Sequence, residues 1–315
     1  MTLFILKRLA LIPVVVLVVT LVMQGLYLLL PGDPAVTLAG GQDASLAEIE
    51  RIRRELNLDA PFPVAYWDWL QGAIRLDFGN SLLTRTSVAE EIFRRLPATL
   101  SLGLAAFAIA LPAGFMLGVV SAVRRGGWVD RAVLAMTSVG MAVPAFVISL
   151  LLILVFAIQL GVLPAIGYVP FTDSPLEWAR AIFMPAVALA AAPAARMART
   201  LRASLIQSLD SDYVRTAWAK GAPPRTVLTK HALKNSLIPT VTILALQVDL
   251  LIGGSVIVEI VFAIPGLGSY IARSANASDL PAIQGIVILF AVVTVVANLL
   301  VDLAYVALNP KVRVS

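Results

Sequence analysis

Cysteine is absent from this 315-residue chain, which removes disulfides, thiolate metal sites and cysteine nucleophiles at once. Histidine is nearly absent too. The single one, His231, has Lys230 and Lys234 as neighbours rather than the carboxylates a metal would need, so it reads as a surface or interface histidine. Charge is scarce, 14% of residues against roughly 25% in an ordinary soluble domain. A phosphate loop is also missing. None of Lys7, Lys220, Lys230, Lys234 and Lys311 follows a glycine, so the GxxxxGK(S/T) pattern cannot be met and ATP hydrolysis by this chain is not expected. There is no internal repeat and no low-complexity tract.

What the chain has in quantity is apolar surface: 59% hydrophobic residues and a mean hydropathy of +0.91. Several apolar stretches reach about 20 residues, the length a helix needs to cross roughly 30 Å of hydrocarbon. The expected fold is therefore an all-α membrane protein with about six transmembrane helices, at Leu9 to Leu30, Ala98 to Val123, Ala132 to Leu160, Ile182 to Ala195, Leu237 to Phe262 and Ile283 to Leu308. The fourth is short and rich in alanine, which suits close packing between helices. The first resembles a secretory signal in outline, but its apolar run is too long and no small-x-small cleavage site follows it, so it reads as an uncleaved anchor. Pro112, Pro144, Pro185 and Pro193 lie inside these runs and are expected to kink them.

Six spans with a cytoplasmic N-terminus return the C-terminus to the cytoplasm. The inside segments then carry Lys7, Arg8, Arg124, Arg125, Arg131 and the basic residues from Arg196 to Lys234, whereas the two short outside loops hold Arg180 and Arg273. That bias has the sign of the positive-inside rule. It also explains the formal net charge of +5 by topology rather than by nucleic-acid binding. The division expected is an anchor at 1–30, an external loop or cap at 31–97, a membrane core at 98–308 with a cytoplasmic loop at 208–236, and a cytoplasmic tail at 309–315.

The external loop is predicted to fold. Ser45 with Glu48 makes a capping box, and Leu46, Ile49, Ile52 and Leu56 form a helical apolar stripe. Tyr66, Trp67 and Trp69 follow, as either an interfacial belt or a partner contact.

The cytoplasmic loop between the fourth and fifth spans reads LDSDYVRTAWAKGAPPRTVLTKHALKNSLIP. Asp210, Ser211 and Asp212 offer a capping oxygen and negative charge to a helix start. Tyr213 to Lys220 then makes a short helix stopped by Gly221, with Pro223 and Pro224 just beyond. A second basic helix is expected from about Arg225 to Asn235, running into Pro239. A brief capped helix held crosswise under a bundle is a docking element.

At this point the sequence resembles the permeases of ATP-binding-cassette importers, whose cytoplasmic signature reads EAA, three residues, Gly, and a Pro about eighteen residues later. Arg215-Thr216-Ala217 stand at the EAA positions, Gly221 at the Gly and Pro239 at the Pro, with Arg215 in place of the acid and Lys234 in place of a first Pro. LPGDPA at Leu30 to Ala35, ELNLDAPFPVAYWDWL at Glu55 to Leu70, DFGNS at Asp77 to Ser81, RLPATLSL at Arg95 to Leu102, VEIVFAIPGLG at Val258 to Gly268 and NLLVDLAYVALNPKVR at Asn298 to Arg313 resemble the dipeptide and oligopeptide (also nickel) permease subfamily.

The resemblance covers nearly the whole chain. It implies a type I importer permease fold in a bacterial inner membrane, paired with a second, similar permease. It also implies two cytoplasmic ATPase subunits, which bind the ATP and magnesium that this chain does not, and an extracytoplasmic substrate-binding protein. Tyr213, Arg215, Ala217, Gly221 and Pro239 become candidates for ATPase coupling.

Pro265, Gly266 and Gly268 are either an ordinary turn or a contact for the binding protein. Asp249, near the middle of the fifth span, is a departure from the family pattern. It is expected either to pair with the partner permease or to line the translocation path for a peptide or another small solute. A self-sufficient secondary transporter would show inverted repeats and an acidic relay, and an intramembrane hydrolase would need a histidine within a span. Neither pattern is present.

Overall fold

The computed structural model describes residues 2–25, 33–39 and 44–308. The readings at Leu30, Pro31 and the tail from Asn309 lie outside the described residues. Among the described residues, all six apolar runs fall on helical segments, and the only β feature is an isolated bridge between Asn80 and Ser87. The chain divides into two compact units, Met1–Pro97 with Pro265–Val296, and Ala98–Ile264 with Ala297–Ser315.

The first unit holds α1 (Thr2–Gly25), α2 (Pro34–Leu38), α3 (Leu46–Glu55), α4 (Phe62–Ile74), α12 (Leu267–Asn276) and the opening turns of α5 (Val88–Val123) and α13 (Leu280–Leu308). The capping box starts α3 as expected: the Ser45 hydroxyl accepts the Glu48 N–H at 3.2 Å. Ile52 is buried with Ala35 and Leu38, but Leu46, assigned to the same stripe, is 81% exposed. It lies in the first turn, ahead of the surface its stripe covers.

Tyr66, Trp67 and Trp69 of α4 do three different things. Trp69 packs on a core of Phe78, Val88, Ile92, Leu267, Tyr270 and Ile286, the Tyr66 hydroxyl lies 3.0 Å from that of Thr20, and Trp67 is exposed. The DFGNS segment is pinned by Asp279, fully buried, which accepts the Ser81 hydroxyl at 2.5 Å and the Leu82 N–H at 3.0 Å.

The second unit is organised around α8 (Pro175–Leu209), 35 residues long and with 15 of them buried. The sequence reading of a weak span at Ile182 to Ala195 is therefore corrected: the helix continues well past Arg196, and Pro185 and Pro193 lie inside it. Its alanines let neighbours approach to backbone contact. A Cβ on Gly114 of α5 would meet the Ala194 carbonyl oxygen at 2.9 Å, and one on Gly118 would meet that of Ala198 at 2.9 Å. This is the small-residue packing that lipid favours, because apolar contact between helices gains little over contact with acyl chains.

The third expected span is also corrected. It is broken into α6 (Trp128–Ala142) and α7 (Ala145–Leu152), with α7 continuing as a π-helix over Ile153–Gln159, and the two halves are bent by 106°. Proline disfavours the helical conformation in the residue before it, and Val143 is extended at φ −85°, ψ 123°. Among the described residues, α5, α8 and Leu280–Leu299 are long and apolar enough to cross a membrane, and the bent pair qualifies as a broken span. α1 and α11 (Lys234–Val261), of 24 and 28 residues, occupy the remaining two runs.

Candidate functional site

The short helix expected after the fourth span is α9 (Asp212–Ala219). Two side chains seat it. Val214 and Ala217, one turn apart, are buried against Leu205, Val227, Ala232 and Ala122. The opposite face is exposed: Arg215, Thr216 and Ala219 are solvent-facing, and the large rings of Tyr213 and Trp218 are 44% and 47% exposed. Aromatic and arginine side chains standing out together are what interface centres are enriched in.

Both ends of α9 are fixed. The Gly221 N–H donates to the Trp218 carbonyl at 2.9 Å and the Ala222 N–H to the Ala217 carbonyl at 3.1 Å, the paired bonds of a Schellman cap. Gly221 has φ +77°, and a Cβ there would meet nothing within 4 Å. Glycine is thus required by the backbone conformation and not by space. The start differs from the sequence reading. Ser211 is the N-cap, but its side chain makes no capping bond; its hydroxyl turns back to the Ser208 carbonyl. Asp210 pairs with Arg125 at 2.9 Å, and Asp212 alone remains in the first turn to oppose the helix dipole.

The segment after α9 is corrected as well. α10 (Pro224–Thr226) passes through a π-helical stretch, Val227–Leu233, directly into α11, and Pro239 lies inside α11 rather than ending a separate helix. The structure therefore brings Tyr213, Arg215, Ala217 and Gly221 together on α9 and its cap, with Ala217 buried as part of the seat. Pro239 is exposed farther along α11. Asn235 of α11 ties the two elements together by donating to the Tyr213 hydroxyl at 3.2 Å. Ser236 adds a hydroxyl contact to Ser208 at 3.0 Å.

A second constellation at this end was not foreseen from the sequence. Asp130, 2% exposed, accepts both Nε and Nη2 of Arg202, at 2.7 and 2.8 Å. It also accepts the Ser121 hydroxyl at 2.5 Å and the Gly126 N–H at 2.8 Å. One carboxylate thus holds the end of α5, the start of α6 and the lower part of α8. Bidentate charge-assisted bonds of this kind are the strong ones. The available signal was a lone acid three residues after the basic turn Arg124-Arg125-Gly126-Gly127.

A third lies where the broken span meets α8 and α11. A cavity of about 120 Å³ is lined by residues including Val143, Leu189, Pro193, Arg196, Gln247 and Gly254. Arg196 donates to the Gln247 side-chain oxygen at 3.2 Å. Asp249, two residues farther on, lies on α11, but its side chain is outside the described residues. Pro265 is exposed, whereas Gly266 and Gly268 are buried at the start of α12, with Gly266 as its N-cap.

The profile of a family described as binding-protein-dependent transport system inner membrane component matches residues 114–314. The chain belongs to this family. A companion profile for the N-terminal region of the same membrane components matches residues 1–103. A Brucella abortus protein that carries the provisional name peptide transport system permease protein is 42% identical over 99% of both chains. The glutathione transport system permease proteins GsiC of Pectobacterium atrosepticum and Escherichia coli are 42% and 41% identical over 98% of both.

Among solved structures, an inward-facing form of the MetNI methionine ABC transporter matches with a TM-score of 0.54 and 20% identity, over 70% of this chain and 96% of that one. That likeness establishes the fold. The resemblance read from the sequence is borne out, and the chain is a membrane-embedded permease component of an ABC transport system.

Proposed function

We propose that this permease forms, with a second similar permease, the path by which di- and oligopeptides enter the cytoplasm, and that it takes up the ATPase stroke through Tyr213 to Gly221. The observation that carries the coupling reading is α9 itself. It is seated by two small apolar residues, locked by a Schellman cap and tied to α11, yet it leaves its aromatic and arginine face uncovered. In this reading ATP and magnesium reside in two cytoplasmic partner subunits, both termini are cytoplasmic, and the Pro265 to Gly268 turn meets an extracytoplasmic substrate-binding protein. The names of the relatives, peptide and glutathione permeases, support a short peptide over nickel as the cargo.

Gly221→Val tests the coupling. A β-branched residue forced into the left-handed region costs on the order of 1 to 2 kcal/mol and unwinds the cap. Because the site is spacious, insertion and assembly are expected to stay normal while peptide uptake falls. Undiminished uptake by Gly221→Val would remove α9 from the coupling route.

Asp249 is proposed to line the path. Its place near the middle of α11 puts its backbone close to the bilayer midplane, where a lipid-facing carboxylate would cost roughly 2.5 to 3.5 kcal/mol. Asp249→Asn is expected to lower uptake of cationic peptides selectively. An equal loss for cationic and neutral peptides, with weakened assembly, would assign it instead to subunit contact.

A further inference from the structure

The first unit contains a cavity of about 240 Å³ that the proposed coupling does not use. Its floor is a pair of buried amides, Gln24 and Gln284, at 5% and 1% exposure. The Gln284 Nε2 donates to the Gln24 Oε1 at 3.0 Å. The Gln284 Oε1 has no donor among the described residues. A buried carbonyl without a partner costs about 1 to 3 kcal/mol, so the site favours a ligand or water that brings a proton. Trp69, Leu56, Ala65 and Phe78 supply an apolar wall.

The rim is acidic. Asp68 accepts only from Asn57, at 3.0 Å, and Asp77 accepts the Gly79 N–H at 3.0 Å. Neither is ion-paired among the described residues, whereas Glu55, the third lining acid, is already held by Arg51 at 2.8 Å. The lining residues include no lysine or arginine. A metal is a poor match, because no group of three or more His, Asp or Glu among the described residues is placed to hold one.

We propose that this cavity receives an organic ammonium group carrying an apolar neighbour, with the free amino terminus of a peptide as its source. The ammonium passes between the Asp68 and Asp77 carboxylates and donates to the Gln284 Oε1, while the first side chain lies against Trp69. The peptide source rests on the transport function proposed above; the ammonium chemistry does not.

The test uses the full chain in lipid nanodiscs, with phenethylammonium as probe and phenethyl alcohol as the neutral control, read by calorimetry. The expected result is binding of the ammonium in preference to the alcohol, weakened about tenfold by D68N/D77N, which removes charge but keeps the acceptor oxygens. Gln284→Leu should weaken both probes, since an alcohol O–H can donate to the same oxygen, and leave the preference to the carboxylates. If D68N/D77N binds the probe as wild type does, or if ammonium and alcohol bind alike, the carboxylates do not recognise an ammonium and the proposal falls, whether or not peptides are transported; no binding of either probe would mean that the cavity holds water only and would overturn it equally. A free-amino tripeptide should displace the bound probe and its N-acetylated form should not. Failure of both to displace it would overturn the peptide source.

Discussion

Asp130→Ala is expected to destabilise the permease by about 3 kcal/mol, the lower end of the range for stripping one partner from a buried ion pair. The lower end applies because the Arg202 side chain keeps 23% exposure and regains some hydration. The loss has several parts. Arg202 is left without its bidentate acceptor, and the Ser121 hydroxyl and Gly126 N–H lose theirs in the same step. The damage is local to the end of the unit that carries α9, because Arg125, next to Gly126, also holds Asp210 just before that helix.

The measurement is thermal unfolding in nanodiscs together with protease cutting at the Arg124 to Gly127 turn. Cutting there should increase while the other turns stay protected. The double variant D130A/R202A should recover part of the loss, since no unpaired guanidinium remains. A single variant as stable as wild type would show that the pair holds nothing together.

A second large effect is expected at Gly118. Gly118→Ala places a Cβ 2.9 Å from the Ala198 carbonyl oxygen and 3.0 Å from the Leu201 Cβ. The first neighbour is backbone of a helix clamped on other sides, so α5 and α8 must separate. Overpacking of this kind costs about 1 to 3 kcal/mol. Gly103→Ala, on the same helix, makes the control: nothing lies within 4 Å of its Cβ, and replacing a helical glycine by alanine gains up to about 1 kcal/mol. The two substitutions should shift the unfolding temperature in opposite directions. A shift for Gly118→Ala as favourable as that for Gly103→Ala would mean that α5 and α8 do not meet closely at Gly118.

The sequence made the helices legible wherever apolar runs and caps coincide. The α3 capping box and the Gly221 stop follow from local rules, and both are seen. Reading by hydropathy ended the fourth span at Arg196, yet α8 continues, because its arginines are satisfied inside the bundle. Arg196 donates to Gln247, Arg199 to Thr137 and the Leu134 carbonyl, and Arg202 to Asp130. No local pattern announces such partners, which lie 51 to 72 residues away.

The break at Pro144 was underestimated. Pro185 and Pro193 are absorbed within one helix, whereas Pro144 separates two at 106°. What differs is the residue before each proline: Val143 is extended, whereas those before Pro185 and Pro193 stay helical. For α9, the cap was readable, but its seat on Val214 and Ala217 depends on Val227 and Ala232 returning from the next segment.

The central claim, that the uncovered face of α9 receives an ATPase subunit, is open to a direct chemical measurement because the chain has no cysteine of its own. Trp218→Cys would carry the only thiol on that face, and Leu46→Cys, at an 81% exposed position in the first unit, serves as the reference. Labelling by a maleimide is timed for the permease alone and for the transporter assembled with its ATPase subunits. The account predicts that the thiol of Trp218→Cys reacts readily in the permease alone and is protected at least about tenfold on assembly, while Leu46→Cys is unchanged. Equal labelling of Trp218→Cys with and without the ATPase subunits, in a transporter still active in uptake, would contradict it.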